Sequence, residues 1–288
     1  MPVIIPAALP ATEVLTNEQI FVMHDQRART QDIRPLKLAI VNLMPTKIVT
    51  ETQLLWLISN TPLQVEVDLI RMASHVSKNV SEEHLQTFYK DFEDIKHKKY
   101  DGMIVTGAPV EHMSFQEVNY WDELQLIFDF ADKNVFSTLF ICWGAQAGLY
   151  YHYGIPKYMR KSKLSGIYRH RILDRKVPLV RSMDDYVMAP HSRYTEVRRE
   201  DIEKHPELQI VAESDEAGVF LVLNRDGSQI FVQGHPEYDR VTLDGEYKRD
   251  KSKGLEIEIP ANYYPENDPD LRPRLLWRAH ANNLYTNW

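Results

Sequence analysis

Four short apolar segments, separated by stretches with helical spacing, dominate the first half of this 288-residue chain. Each apolar segment has the length and the β-branched content of a buried strand, and the stretches between them carry apolar residues at helical intervals. The predicted order is therefore βαβαβαβ with short connections, which is typical of a parallel sheet covered by helices on both faces. The predicted strands cover residues 36–43, 65–71, 100–107 and 136–141, and the predicted helices cover 50–58, 81–89 and 120–133.

The second half of the chain changes to shorter segments with few helical patterns between them. Strand-like runs predict antiparallel strands that extend or flank the parallel sheet. The polar stretch 224–228 predicts a hairpin turn, and residues 271–284 are predicted to form a helix after a loop over 260–273. The predicted antiparallel strands are residues 187–189, 208–212, 218–223 and 229–232.

The first 35 residues have a different character, with four prolines and little periodicity. This composition predicts an arm laid over the body of the molecule rather than a layer of its core. The rest of the chain is long enough to bury one large core. The predicted organisation is thus an N-terminal arm over residues 1–35 and a single domain over residues 36–288.

The composition narrows the class of protein. One cysteine cannot form an intramolecular disulfide, so the chain is not a disulfide-framed secreted fold, and the reducing cytoplasm is the expected location. The first ten residues lack a basic leader, and no apolar run approaches the roughly 20 residues needed to span a bilayer, so no membrane association is expected. A net charge of −7 without a long basic block argues against nucleic acid as a partner.

The single cysteine, Cys142, directly follows the predicted strand 136–141, and the small residues after it begin a helical pattern. The thiol is therefore predicted to lie on a strand-to-helix turn at the carboxyl edge of the sheet, where α/β proteins form their sites. The N-terminus of a helix favours the thiolate, because its free N–H groups and positive dipole end stabilise an anion. A buried core cysteine is the competing interpretation on position alone.

A thiol nucleophile needs a base, and His235 lies where the predicted strand 229–232 brings the chain to the same edge. Glu237 is two residues further on, and Pro236 biases His235 toward extended backbone, in which alternate side chains project to one side. The carboxylate can therefore hold the imidazole in one tautomer. For His235 alone, a structural histidine is the competing interpretation. The predicted position of Cys142 on a strand-to-helix turn weakens that interpretation.

The motif CWGAQ at 142–146, together with GHPE at 234–237, resembles the nucleophile and the His-x-Glu pair of class I glutamine amidotransferase-like domains. This resemblance implies a flavodoxin-like α/β fold, with one amidotransferase-like catalytic domain over residues 36–288. One position departs from the pattern. Those domains usually have glycine two residues before the cysteine, whereas this chain has Phe140, which argues against an amidotransferase substrate pocket.

A second resemblance covers nearly the whole chain and rests on several motifs in a fixed order. They resemble the homoserine O-acyltransferases of methionine biosynthesis, the homoserine transsuccinylase family. The resemblance implies a ping-pong reaction between acyl-CoA and L-homoserine, with no permanently bound cofactor and no metal ion, and it leaves a homodimer open. The motifs are NLMPTK (42–47), TGAP (106–109), FICWGAQ (140–146), PHSRYT (190–195), GHPEYD (234–239) and EYKRD (246–250).

The same resemblance implies roles for five residues around the thiol. Cys142 would be the acyl-thioester nucleophile, His235 the general base and acid, and Glu237 the partner that orients the imidazole. The oxyanion hole would use the backbone N–H of Trp143 and a backbone N–H of the 107–108 turn, assigned to Ala108.

Homoserine carries a carboxylate and an ammonium group, so its site needs a cation and acceptors. The resemblance implies that Lys163, Ser192 and Arg249 line that site. Arg249 is the expected carboxylate clamp, because a guanidinium binds a carboxylate through two parallel hydrogen bonds. Lys47 is left open as a contact to substrate or to the CoA phosphates.

Members of this family differ in acyl donor, and the resemblance points to the position of Glu111 as the determinant. A succinyl carboxylate roughly 4–5 Å from a second carboxylate would be disfavoured by about 3–4 kcal/mol at an effective dielectric near 20. A glycine there would also leave more room for the longer acyl group. Acetyl-CoA is therefore the expected donor. Succinyl-CoA, a glutamine-hydrolysing amidotransferase or γ-glutamyl hydrolase, and a non-catalytic flavodoxin-like thiol protein are the alternatives.

Overall fold

The computed structural model describes residues 3–6, 8–18, 22–23, 34–75 and 79–288. In these residues twelve strands form one mixed sheet. They are β1 (Val3–Ile4), β2 (Val22–Met23), β3 (Leu36–Val41), β4 (Val65–Ile70), β5 (Tyr89–Lys90), β6 (Tyr100–Val105), β7 (Val135–Ile141), β8 (Tyr158–Ile172), β9 (Tyr186–Glu196), β10 (Leu208–Ser214), β11 (Gly218–Asn224) and β12 (Gln229–Val232).

Helices cover the sheet on both faces. They are α1 (Pro10–Asn17), α2 (Lys47–Ile58), α3 (Glu82–Phe88), α4 (Phe92–Ile95), α5 (Trp121–Asn134), α6 (Trp143–Tyr153), α7 (Arg199–Ile202), α8 (Thr242–Ser252) and α9 (Arg278–Asn287). Ser81 accepts a hydrogen bond from the backbone N–H of His84 and so caps α3, as its acidic first turn suggests. Among the described helices, none is long and apolar enough to cross a lipid bilayer.

The sheet changes character at β12. The strand order is β2-β1-β4-β3-β6-β7-β12-β11-β10-β8-β9, with β5 paired to β4. From β2 to β12 the neighbours run parallel, and from β12 to β9 they run antiparallel. The predicted parallel sheet extended by antiparallel strands is confirmed. Strand β12 is the junction, because it runs parallel to β7 and antiparallel to β11.

Two hydrophobic clusters sandwich the central strands, since successive side chains of a strand point to opposite faces. Ile40 belongs to the cluster that contains Leu54 of α2 and Leu284 of α9. Val41, the next residue of β3, belongs to the cluster that contains Phe128 of α5 and Leu149 of α6. Fully buried parallel strands need apolar residues on both faces, which explains the continuous apolar runs in the sequence.

The N-terminal segment differs from the expectation of an irregular arm outside the core. Strand β1 pairs with β4, and α1 buries Leu15 completely in the core, so the described part of this segment adds a layer to the fold. The prolines of this segment argued against a helix in the sequence. Helix α1 nevertheless forms, because Pro10 stands in its first turn, where a proline costs no hydrogen bond. Residues 1–2, 7, 19–21 and 24–33 of the predicted arm lie outside the described residues, and the division at residue 35 stays a prediction.

Two further elements differ from the sequence-based expectation. Strand β8 has fifteen residues and was not among the predicted strands. Its first six residues are exposed or half-buried, and the pairing with β9 is irregular between Met159 and Leu164, so no clean alternation of buried and exposed residues marks it. The C-terminal helix begins at Arg278, after Trp277, rather than at residue 271.

Candidate active site

Strand β7 brings Cys142 to the carboxyl edge of the sheet, and α6 begins at the next residue. The backbone of Cys142 has φ 50° and ψ −114°, which residues with a side chain rarely adopt. Its N–H donates to the Val232 carbonyl at 2.7 Å, and its own carbonyl accepts from Gln146 N at 3.1 Å. The predicted strand-to-helix turn is confirmed, and its strain is of the kind that functional sites concentrate.

His235 and Glu237 follow β12, the strand hydrogen-bonded to β7. The imidazole Nδ1 lies 2.7 Å from Glu237 Oε1, and both side chains are at most 3% exposed. The backbone N–H of His235 donates to the Pro190 carbonyl at 2.8 Å, and its ring stacks on Tyr238 with 4.2 Å between centroids. The imidazole is thus fixed on three sides, with its other nitrogen left for the thiol.

The turn after β6 closes on the same point. A Cβ built on Gly107 would lie 3.2 Å from His235 Cε1 and 3.4 Å from Cys142 Cβ, so this turn touches both side chains. A Cβ on Gly144 would lie 2.6 Å from the Thr106 carbonyl oxygen, which shows how closely α6 approaches the turn. First-turn N–H groups of a helix have no acceptor within the helix. The structure therefore places the Trp143 N–H and the 107–108 turn beside the thiol.

The electrostatics of the site favour a protonated His235. Burial alone would lower the pKa of His235, but the negative charges of Cys142 and Glu237 raise it well above its usual value. Glu237 Oε1 holds the Nδ1 proton, which leaves the other ring nitrogen to exchange a proton with the thiol. A cysteine thiolate beside an imidazolium is a nucleophile with its base already in place.

The three predicted homoserine contacts converge on helix α8. Lys163 Nζ lies 2.9 Å from Asp250 Oδ2 and 3.8 Å from Glu246 Oε2. Ser192 Oγ donates to Glu246 Oε2 at 2.5 Å, and Arg249 Nε donates to Asp250 Oδ1 at 2.8 Å. The structure brings Lys163, Ser192 and Arg249 together, and their role stays a prediction.

Two acidic residues of that cluster were not singled out from the sequence as site residues. Glu246 also accepts a hydrogen bond from the hydroxyl of Tyr238, the residue that stacks on His235, at 2.8 Å. Asp250 is 5% exposed and pairs with both cations. The signal available in the sequence was the spacing of Glu246 and Asp250, four residues apart on one helix face.

Glu111 lies within electrostatic reach of His235. Its Oε1 accepts the backbone N–H of Tyr194 at 3.4 Å, and its backbone carbonyl accepts from Lys157 Nζ. Burial raises the pKa of Glu111, while the charges of His235 and Lys163 act in the opposite direction. The side chain therefore faces the site rather than bulk solvent.

Lys47 is buried at the carboxyl end of β3, and burial lowers its pKa to about 8. Its Nζ donates to the Asn42 carbonyl, and it lines a cavity of about 250 Å³ with Met44, Pro109 and Val110. A larger cavity of about 880 Å³ lies at the opposite edge of the sheet, beside Phe136, and is remote from the thiol.

Comparison with known proteins identifies the family. The model of the family described as homoserine O-succinyltransferase matches residues 2–288. The chain belongs to the homoserine O-succinyltransferase family. It is an enzyme, an acyltransferase, as the full-length match implies.

Several curated relatives in this homoserine O-succinyltransferase family align over all 288 residues. A protein of Lachnospira eligens named homoserine O-acetyltransferase is 58% identical, covering 100% of this chain and 93% of the relative. Proteins of the same name from Acetivibrio thermocellus and Bacteroides fragilis are 59% and 57% identical, each covering 100% of this chain and 94% of the relative.

Solved structures confirm the fold that the family shares with glutamine amidotransferases. A glutamine amidotransferase from Thermotoga maritima has a TM-score of 0.57 at 13% identity, covering 88% of this chain and 96% of that structure. A glutamine amidotransferase from Methylobacillus flagellatus has a TM-score of 0.52 at 14% identity, covering 89% of this chain and 94% of that structure. At such identities the likeness concerns the fold alone.

Proposed function

We propose that this chain transfers an acetyl group from acetyl-CoA to the hydroxyl of L-homoserine, giving O-acetyl-L-homoserine and CoA, through a thioester on Cys142. The observation that carries the proposal is the buried arrangement of Cys142, His235 and Glu237 at the shared edge of β7 and β12. It occurs in a chain whose full-length relatives bear the name homoserine O-acetyltransferase.

In the first half-reaction the Cys142 thiolate attacks the thioester carbonyl of acetyl-CoA. The carbonyl oxygen becomes an oxyanion, for which the N–H groups of Trp143 and Ala108 are the proposed donors. When the intermediate collapses, the carbon–sulfur bond to CoA breaks and the CoA thiolate takes the proton of the His235 imidazolium. The exchange is easy because the two thiols have similar basicity.

In the second half-reaction the homoserine hydroxyl attacks the acetyl group on Cys142. His235, now neutral, accepts the hydroxyl proton as the new carbon–oxygen bond forms. The bond to the Cys142 sulfur then breaks, and the thiolate is restored beside an imidazolium. Glu237 keeps one tautomer of His235 in place through both steps, because it holds the Nδ1 proton at 2.7 Å.

Homoserine recognition is assigned to the cluster around α8. The Arg249 side chain is 51% exposed, so it can exchange part of its contact with Asp250 for a substrate carboxylate. Lys163 and Ser192 face Glu246, whose carboxylate is suited to the substrate ammonium. Arg249→Ala should raise the homoserine requirement far more than it slows acylation of Cys142, and equal loss of both half-reactions would contradict this role.

The assignment of acetyl-CoA as the donor rests on Glu111 and on the names of the relatives. A second donor, succinyl-CoA, is favoured by the description of the family model. The half-buried Glu111 carboxylate supports acetyl, since it would repel the terminal carboxylate of a succinyl group. The amidotransferase alternative has the fold and the cysteine and His-x-Glu motifs in its favour, but Phe140 stacks on Phe231 at 5.0 Å where amidotransferases usually have glycine.

One experiment tests the proposal directly. The protein is incubated separately with acetyl-CoA and with succinyl-CoA, the modified residue is found by peptide mass, and homoserine is then added. We expect the acetyl group on Cys142, its loss on adding homoserine, and no labelling of Cys142→Ala. Labelling elsewhere, or a Cys142→Ala protein that turns over, would refute the thioester. Glutamine hydrolysis without CoA would select the amidotransferase alternative.

Location in the cytoplasm and a homodimer stay predictions.

A further inference from the structure

Arg193, on β9, is a buried cation, and no carboxylate of the described residues is in hydrogen-bond contact with it. Its side chain is 1% exposed, Nη1 donates to the Thr195 carbonyl and Nη2 to the Ala217 carbonyl, each at 2.6 Å, and Nε donates to His191 Nδ1 at 3.3 Å. All these acceptors are neutral, because burial lowers the pKa of His191 well below its usual value. A buried charge without a nearby opposite charge is strongly unfavourable.

The charges around Arg193 indicate where its counter-charge lies. Arg160 and Glu196 both act on it, but they form an ion pair with each other and offset. Burial also lowers the pKa of His170 to about 3, so this neighbour of His191 is neutral. Burial lowers the pKa of Arg193 to about 10, and negative charge on Cys142 and, to a smaller extent, on Glu111 acts against this effect.

Hydrogen bonds tie the guanidinium to the turn that carries the thiol. The Thr195 carbonyl accepts both Arg193 Nη1 at 2.6 Å and Gln146 Nε2 at 3.3 Å, and Thr195 Oγ1 donates to Gln146 Oε1 at 2.7 Å. The backbone N–H of Gln146 in turn donates to the Cys142 carbonyl at 3.1 Å. The cation therefore has a fixed position relative to the first turn of α6.

We propose that Arg193 is a positioning residue whose fixed, buried charge holds Cys142 as a thiolate. A consequence, which rests on the proposed function, concerns the thioester. Acylation neutralises Cys142 and leaves Arg193 without its counter-charge, so Arg193 favours departure of the Cys142 sulfur when homoserine attacks. The residue thereby assists the second half-reaction without touching the substrate.

Other ionisable groups face the thiol and enter any pH profile. His235 and Tyr238 both interact with the Cys142 charge from the segment after β12, and Glu237 acts through His235. Glu111, after β6, interacts with His235 and with Lys163 on β8. A test must therefore change Arg193 while leaving these groups in place.

The test measures the rate at which iodoacetamide alkylates Cys142 as a function of pH, in Arg193→Met and Arg193→Gln. Both variants remove the charge, and Gln keeps a donor for the Thr195 carbonyl. We expect the midpoint of the profile to rise by about one pH unit, a tenfold lower thiolate fraction below the midpoint. Arg169→Met is the matched control, since it removes an exposed arginine of the adjacent strand β8 and should leave the midpoint unchanged.

An unchanged midpoint in a folded neutral variant, or an equal shift in the Arg169 control, would overturn the proposal. Should neither variant fold, the charge can be tested with Arg193 intact. In a His235→Gln background, Cys142→Asp should be more stable than Cys142→Asn, because the aspartate supplies the counter-charge of Arg193. An Asp variant that is no more stable than the Asn variant would also overturn the proposal. Alkylation needs no acyl transfer, so failure of this inference is distinguishable from failure of the proposed function.

Discussion

At the scale of single residues, we propose that the contact of Glu237 with His235 controls the chemistry of the imidazole. The residue is 2% exposed, and one of its oxygens holds His235 at 2.7 Å. Such a carboxylate orients the ring and stabilises the imidazolium that forms during proton transfer. At the scale of single residues, the site therefore depends on contacts that are short, few and shielded from water.

Glu237→Gln should reduce the rate of acyl transfer by roughly 10²- to 10⁴-fold while the protein stays folded. The amide removes a negative charge that raises the pKa of His235, so that pKa should fall and the alkaline limb of the kcat/KM profile should move to lower pH. Glu256→Gln, on an exposed loop, is the control and should leave the profile in place. A variant that keeps the wild-type profile would contradict the orienting role.

Glu111→Gly should shift donor preference from acetyl-CoA toward succinyl-CoA. Removing the carboxylate takes away a repulsion of about 3–4 kcal/mol if a succinyl carboxylate lies roughly 4–5 Å away, which amounts to two to three decades in relative rate. The measurement is the ratio of kcat/KM for the two donors. Glu111→Gln separates charge from size, because it removes the charge and keeps most of the volume. An unchanged ratio of kcat/KM for the two donors in both variants would contradict the role of Glu111 in donor preference.

At the scale of elements, helix α6 can approach the turn after β6 closely because Gly144 has no side chain. A Cβ there would lie 2.6 Å from the Thr106 carbonyl oxygen and 2.8 Å from the Val105 carbonyl oxygen. Both atoms are backbone, so neither can rotate away. The position of Cys142 and the start of α6 relative to the turn after β6 is thus set by a helix–turn contact.

Gly144→Ala should destabilise the protein by about 1–3 kcal/mol, because the added methyl group overpacks a backbone contact. Gly245→Ala is the matched control, since Gly245 lies inside α8 with open space around its Cβ position. That substitution should stabilise the fold by about 0.5–1 kcal/mol through helix propensity. Urea unfolding compares the two, and equal effects would show that the close approach of α6 is unimportant.

The elements of the parallel half were predictable from sequence because buried strands and amphipathic helices have distinct periods. Strand β8 was not predictable, since its first six residues are exposed or half-buried and its pairing with β9 is irregular. For the site, the turn at Cys142 and the His235–Glu237 spacing follow from local geometry. The contact of Ser192 with Glu246 joins residues 54 positions apart, and no local pattern measures such a distance.

At the scale of the whole molecule, two buried histidines make folding sensitive to acid. Burial lowers the pKa of His170 to about 3 and that of His191 well below its usual value, and their Nε2 atoms lie 3.0 Å apart. Both are neutral when folded but take up protons when unfolded below about pH 6.5. The stability they contribute is therefore complete above that pH and is lost progressively as the pH falls toward 3.

The free energy of unfolding should decrease between pH 6.5 and 5, with a slope of up to about 1.4 kcal/mol per pH unit for each histidine that stays neutral in the folded state. Urea unfolding at several pH values measures this slope. Replacing His170 with Phe should flatten the slope by up to one proton, whatever its effect on absolute stability. A slope that is the same in both proteins would show that other groups dominate this window.

The register between β7 and β12 has a consequence for how the enzyme loses activity. Ile141 pairs with Val232, so the thiol and the imidazole are each only a few residues beyond a matched rung of the sheet. A slip of one residue would turn every side chain of β12 to the opposite face. The distance between the Cys142 thiol and the His235 imidazole therefore depends on backbone pairing at the centre of the molecule. In a denaturant titration we expect turnover to persist until that central pairing is lost.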